Sequence, residues 1–146
     1  MPNTSLAALH TAILDAREGY AKAIEKSDDA AATSVFREML AQHADAHADV
    51  HDALTRLGEK DDESGSFMAT VHKTVISVRA AVTGVDEGAL KSFADGEEGI
   101  LERYDDALGE QVDPATTAML KRHQARLADR IAEMRALAEN AEARAG

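Results

Sequence analysis

A chain of 146 residues with no cysteine, 3% aromatic residues and a formal net charge of −11 suits one compact domain with a sizeable core. The missing cysteines exclude disulfides, thiolate metal sites and cysteine nucleophiles. The acidity argues against a nucleic-acid partner, whose affinity would come mainly from Lys and Arg, and against an anionic membrane surface. No apolar run approaches the 18 residues of a membrane span, and the N-terminus lacks the basic region of a signal peptide, so a cytoplasmic setting is expected.

Ala, Leu, Glu, Asp, Lys and Arg dominate and Pro occurs twice, which favours long helices over sheet. The first predicted helix spans about Thr4–Lys26, with Leu6, Leu9, Ile13, Tyr20 and Ile24 on its apolar stripe. Ser27 or Asp28 is the expected cap of the second, which runs to about Leu57 and stops at Gly58. Its stripe is Phe36, Leu40, Val50, Leu54 and Leu57. A polar loop, Glu59–Ser66, precedes a shorter predicted helix at about Phe67–Thr83. The third long helix covers about Glu87–Leu108, with Leu90, Phe93, Ile100, Tyr104 and Leu108 inward. Asp113 followed by Pro114 is a helix-start signal. The fourth helix reaches about Ala141, with Leu120, Leu127, Met134 and Leu137 inward and a fraying tail from Asn140.

Two hairpins of long helices joined by a long middle connection predict an all-α four-helix bundle with one crossover, a single domain over 1–146 with its core at about 6–137. A repeat at an offset of 80 residues supports two related hairpins: Asp15, Glu18 and Gly19 match Asp95, Glu98 and Gly99, and Met39, Leu40 and His43 match Met119, Leu120 and His123.

Each apolar stripe is interrupted by an ionisable residue: Arg17 on the first helix, His43 and His47 on the second, Glu97 on the third, His123 on the fourth. Buried ionisable groups are costly unless paired or bound to metal. Two readings follow. One is a structural polar layer of Arg17, Glu97, His43 and His123, with Arg17 paired to Glu97. The other is a metal site of His43, His47, Glu97 and His123 taking Zn, Fe or Mn, for which the His pair at i and i+4 is a familiar helical chelate. His51, next to Asp52, is expected in solvent, and His10 and His72 at surface or half-buried edges. The acidic runs read as solvated turns, and no nucleophile triad or phosphate cradle is present.

The segments Asp95–Gly99, Asp15–Tyr20, Arg56–Gly58, Glu63–Ser66 and Thr83–Gly84, in that spacing, resemble the small bacterial ferritin-like bundles, a four-helix-bundle domain family of unknown function. The resemblance covers about Leu6 to Leu137 and implies a ferritin-like bundle. Ferritin-like two-iron proteins carry a Glu on each of two helices and Glu-x-x-His on each of the others. Here Glu97 fits one single Glu, Arg17 stands at its counterpart, and Leu40 and Leu120 stand where Glu should precede His43 and His123. The resemblance thus implies a non-enzymatic binding or stress-related bundle with no resident cofactor. The alternative is a metal-binding protein or metal-dependent oxidoreductase. Helical faces offer contacts for a homo-oligomer.

Overall fold

A computed structural model describes residues 4–58, 89–111 and 113–145, with side chains through Asn140. Four helices make up the described residues: α1 (Thr4–Lys26), α2 (Ala30–Arg56), α3 (Leu90–Glu110) and α4 (Pro114–Ala145). The expected loop at Glu59–Ser66 and shorter helix at Phe67–Thr83 lie outside them.

The helix limits follow local chemistry. The cap of α2 is Asp29, neither Ser27 nor Asp28. Its backbone is extended, and its carboxylate accepts from the Ala32 N–H at 2.9 Å. Ser27 is used differently, accepting from the Thr33 hydroxyl at 2.7 Å and so folding the turn against the first turn of α2. Gly58 ends α2 with φ of +78°, a left-handed conformation that favours glycine. Asp113 caps α4, accepting from the Thr116 N–H at 3.1 Å, with Pro114 in the first turn. The Thr116 hydroxyl and the Arg56 guanidinium both donate to that carboxylate and hold its pKa down at about 2. The described helix α3 begins at Leu90, and its expected start near Glu87 lies outside the described residues. α4 extends to Ala145, past the expected end near Ala141, and no Gly or Pro interrupts its Ala-, Glu- and Arg-rich sequence.

Polar ties show how the helices run. Ser5 at the start of α1 donates to Glu110 at the end of α3. Arg56 at the end of α2 meets Asp113 and Thr116 at the start of α4. Arg135 binds Asp95 and Glu98, setting α3 and α4 antiparallel, and Tyr20 against Phe36 does the same for α1 and α2. Each helix therefore opposes its two neighbours. α2 and α3 run in the same direction at opposite corners, so α2 ends at the end of the bundle farthest from where α3 begins. The core between them holds Leu6, Leu9 and Ile13 of α1, Phe36, Met39 and Leu54 of α2, Leu90 and Ala94 of α3, and Leu120, Leu127 and Met134 of α4.

The hairpins correspond at an offset of 84, not 80. The capping aspartates Asp29 and Asp113 are 84 apart, and so are the residues they bind, Ala32 and Thr116. Leu6 and Leu90, and Tyr20 and Tyr104, are buried identities in the same register. The difference is about one helical turn. A helix offers nearly the same face after such a slip, so sequence identities alone select the register poorly. The turns decide it, because each cap occurs at one place only.

Gly96 and Gly99 sit exposed inside α3, and a Cβ at either would meet nothing within 4 Å. Their flexibility is a cost with no packing return in the monomer. Gly96→Ala and Gly99→Ala should each stabilise the fold by roughly 0.5–1 kcal/mol, read by urea unfolding. A loss of stability in either variant would contradict the open placement.

Candidate functional site

The interior polar residues come from all four helices, because each apolar stripe keeps its three- and four-residue steps through an ionisable position. On α1 the sequence of steps is Leu6, His10, Ile13, Arg17, Tyr20. All of these except Arg17 are buried, and Arg17 is half-buried.

The deepest pair is His43 and Glu97. Both are almost fully covered, at 1% and 3% exposure. The His43 Nε2 lies 3.0 and 2.9 Å from the two Glu97 carboxylate oxygens, so one imidazole nitrogen serves both. This contact joins α2 to α3, the diagonal pair, and passes through the middle of the bundle. The Tyr20 ring stacks on His43 with centroids 5.9 Å apart and 24° between planes. Its buried hydroxyl faces Glu97 but forms no hydrogen bond of standard geometry. Burial pushes the Tyr20 phenol well above its ordinary pKa, and the adjacent Glu97 carboxylate pushes it further. Tyr104 is also raised, by burial first and by Glu97 second. Phe93 and Phe36 close the apolar side, with centroids 5.1 and 6.0 Å from Tyr20.

A second group lies on the α1–α2 seam. Arg17 Nη1 approaches His47 Nδ1 at 3.4 Å. His47 lies 4.5 Å from His10 and 6.0 Å from His51 between ring centroids, and His10 lies 5.7 Å from His51. A third pairing joins α2 and α4: His123 Nε2 meets Asp49 at 2.7 Å, with His123 buried and Asp49 half-exposed. The expected pairing of Arg17 with Glu97 is thus replaced by two separate ones. The physical reason is reach along the axis. Arg17 stands level with His47, and Glu97 stands level with His43.

The family described as Domain of unknown function (DUF2383) matches residues 1–110. The chain belongs to that family. No curated protein and no solved structure matches it. The DUF2383 match spans α1, α2 and α3, so Tyr20, His43, Glu97 and Tyr104 lie inside it and His123 lies beyond it.

Several buried polar residues of this DUF2383 chain escaped the sequence reading. His10 is 1% exposed, although an edge position was expected. Its signal was present, since it falls between Leu6 and Ile13 on the apolar stripe. His51 is half-buried against the other two rings rather than open to solvent. Asp15 and Gln42 are also buried, and neither continues the stripe on which the reading relied. Gln42 accepts from Arg130 Nε at 3.4 Å across the α2–α4 seam, a partner no local pattern could reveal. His72 lies outside the described residues.

The structure divides the four metal candidates, His43, His47, Glu97 and His123, among three pairings. Among the described residues no three His, Asp or Glu side chains converge as a metal-binding group. The described helices carry Leu where the two-iron pattern has the Glu of Glu-x-x-His. Leu40 and Leu120 occupy the carboxylate positions, and the buried Glu97 is held by His43. No described helix is long and apolar enough to cross a membrane.

Proposed function

We propose that this DUF2383 chain is a ferritin-like bundle whose two hairpins are joined by a crossover, and that it acts as a non-catalytic binding protein of stress-related type. In this reading the buried His43–Glu97 pair, with the half-buried Arg17 on His47 beside it, takes the place of a two-iron centre. Support for the crossover is the parallel run of α2 and α3, with the end of one far from the start of the other.

The observation that carries the functional reading is the engagement of both Glu97 oxygens by His43 at 3% exposure. A carboxylate so placed is already engaged at both oxygens, and the position that matches Glu97 at the 84-residue offset is Ile13, which offers no metal ligand. A charged layer with directional partners disfavours helix slippage, because a shift of one turn leaves a buried charge unpaired.

The test is ferrous oxidation in air with tag-free protein, together with thermal shifts in Zn(II) and Mn(II). The expected result is oxidation no faster than buffer and an unchanged melting temperature. Catalysed turnover, or stoichiometric divalent metal lost in His43→Ala, would favour the metal-dependent reading through His43, His47, Glu97 and His123.

A further inference from the structure

Of the four helices, α3 is the one least able to hold itself together. It carries Gly96, Gly99 and Gly109, whereas α1 has Gly19 alone and α2 and α4 have no glycine. Glycine inside a helix favours unwinding by roughly fivefold over alanine. A Cβ at any of the three in α3 would meet nothing within 4 Å, so packing does not require them. Asp105, Asp106 and Glu110 crowd the C-terminal end of α3, and no basic residue stands in its last turn. That sets like charge against the helix dipole, while α1 and α2 carry Lys26 and Arg56 there. Between Leu90 and Tyr104 the fully buried positions of α3 are Ala94 and Glu97 alone, and Phe93, Ile100 and Leu101 are only partly covered. Gly96 and Gly99 bracket Glu97, so the weakest turn carries the buried carboxylate. Two clasps hold that turn. From inside, His43 Nε2 engages both Glu97 oxygens. From outside, Arg135 of α4 donates to Asp95 at 3.0 Å and to Glu98 at 3.2 Å.

We propose that residues 95–99 of α3 form a latch that opens locally, withdrawing Glu97 from His43 while α1, α2 and α4 stay folded. Segments that open below the global unfolding free energy are those with little buried apolar surface, and this turn has little. The inner clasp resists less than its geometry suggests. Taking the pair out of water offsets much of its mutual attraction, so opening returns solvation to both groups. The outer clasp is a surface one. The Asp95 and Glu98 side chains are 62% and 51% exposed, so salt screens their hold on Arg135. Salt therefore loosens the latch, and a side chain at Gly96 or Gly99 tightens it. The consequence is access. His43 is 1% exposed in the closed bundle, and the departure of Glu97 uncovers its Nε2. The latch is independent of the non-catalytic reading, since it concerns how the interior is reached and not what is bound there.

The experiment is amide hydrogen exchange on the full tag-free chain, read by mass spectrometry in buffer and in urea below the unfolding transition. Amides of residues 95–99 should exchange about tenfold or more faster than the slowest amides of α1, α2 and α4, with little dependence on urea. The double variant Gly96→Ala, Gly99→Ala should slow them by about tenfold. Arg135→Gln, or high salt on the unaltered chain, should speed them by about threefold. Asp29→Ala removes the cap of α2, on the helix diagonal to α3. It should speed only the slowest amides, by about fivefold, because that cap stays formed when the latch opens. Diethyl pyrocarbonate supplies the readout at the pair itself. Its modification of His43 should slow in the double glycine variant by the same factor as the 95–99 amides. Exchange of residues 95–99 at the rate and urea dependence of the slowest amides overturns the proposal. So does His43 labelling that ignores the glycine substitutions. Both glycine changes add helix propensity at open positions, so this variant is expected to fold, and circular dichroism checks it.

Discussion

Replacing His43 alone by leucine should cost about 3–5 kcal/mol, because it strands the Glu97 carboxylate in the middle of the bundle without its donor. Glu97→Leu alone should cost a similar amount by leaving the His43 imidazole against apolar neighbours. The double variant His43→Leu, Glu97→Leu should recover most of that loss. The pair is almost fully covered, and taking two polar groups out of water offsets much of what they gain from each other. Urea unfolding of the three variants gives the cycle directly. A coupling energy of roughly 2 kcal/mol or more is expected from groups in contact, and additive single losses would show that they act independently. The double variant also separates stability from specificity. If the layer sets helix register, the double variant should be stable yet less sharply unfolding, with a lower denaturant slope.

The second large effect lies at alkaline pH. The chain has two tyrosines, and the structure buries both. Burial, with Glu97 second, raises each phenol above its ordinary value near 10. An acid whose pKa is raised by folding favours the native state while it stays protonated. That contribution is complete below pH 10. Above it the unfolded chain ionises and the native one does not, so stability falls as pH rises. The slope approaches about 1.4 kcal/mol per pH unit for each phenol. The expected titration therefore shows no tyrosinate absorbance near pH 10 in the native protein. Absorbance should appear later, in one step that coincides with loss of helical circular dichroism. A tyrosine that ionises near pH 10 while the helices persist would contradict this interior. Tyr20→Phe and Tyr104→Phe should each move the alkaline midpoint upward, unless lost packing at the hydroxyl dominates.

Much of the fold was legible in the residues. Leu6, Leu9, Ile13 and Tyr20 lie on the helical period and are buried, as are Leu120, Leu127 and Met134. Gly58 and the Asp113–Pro114 pair mark helix ends by backbone chemistry that needs no neighbour. The interior positions of His43, Glu97 and His123 also followed from the stripes, since a helix cannot turn one residue away while keeping its neighbours inward. Partners were not legible. Arg17 and Glu97 appeared to suit each other by charge and by an 80-residue correspondence. Axial position gave Arg17 to His47 and Glu97 to His43, and the hairpins correspond at 84.

Local periodicity and capping thus determined four long helices, their apolar faces and most of the ionisable residues those faces must accommodate. Tertiary structure alone decided that His43 reaches Glu97 across the diagonal, that His10 is buried beside His47, and that the Tyr20 hydroxyl faces the Glu97 carboxylate. The physical reason is that a helix's face depends on the rotation of each residue about its own axis, which its sequence contains. The contact between two helices depends on their relative translation, which a 3.6-residue period leaves nearly degenerate at every turn. The turns and the buried polar pairs remove that degeneracy.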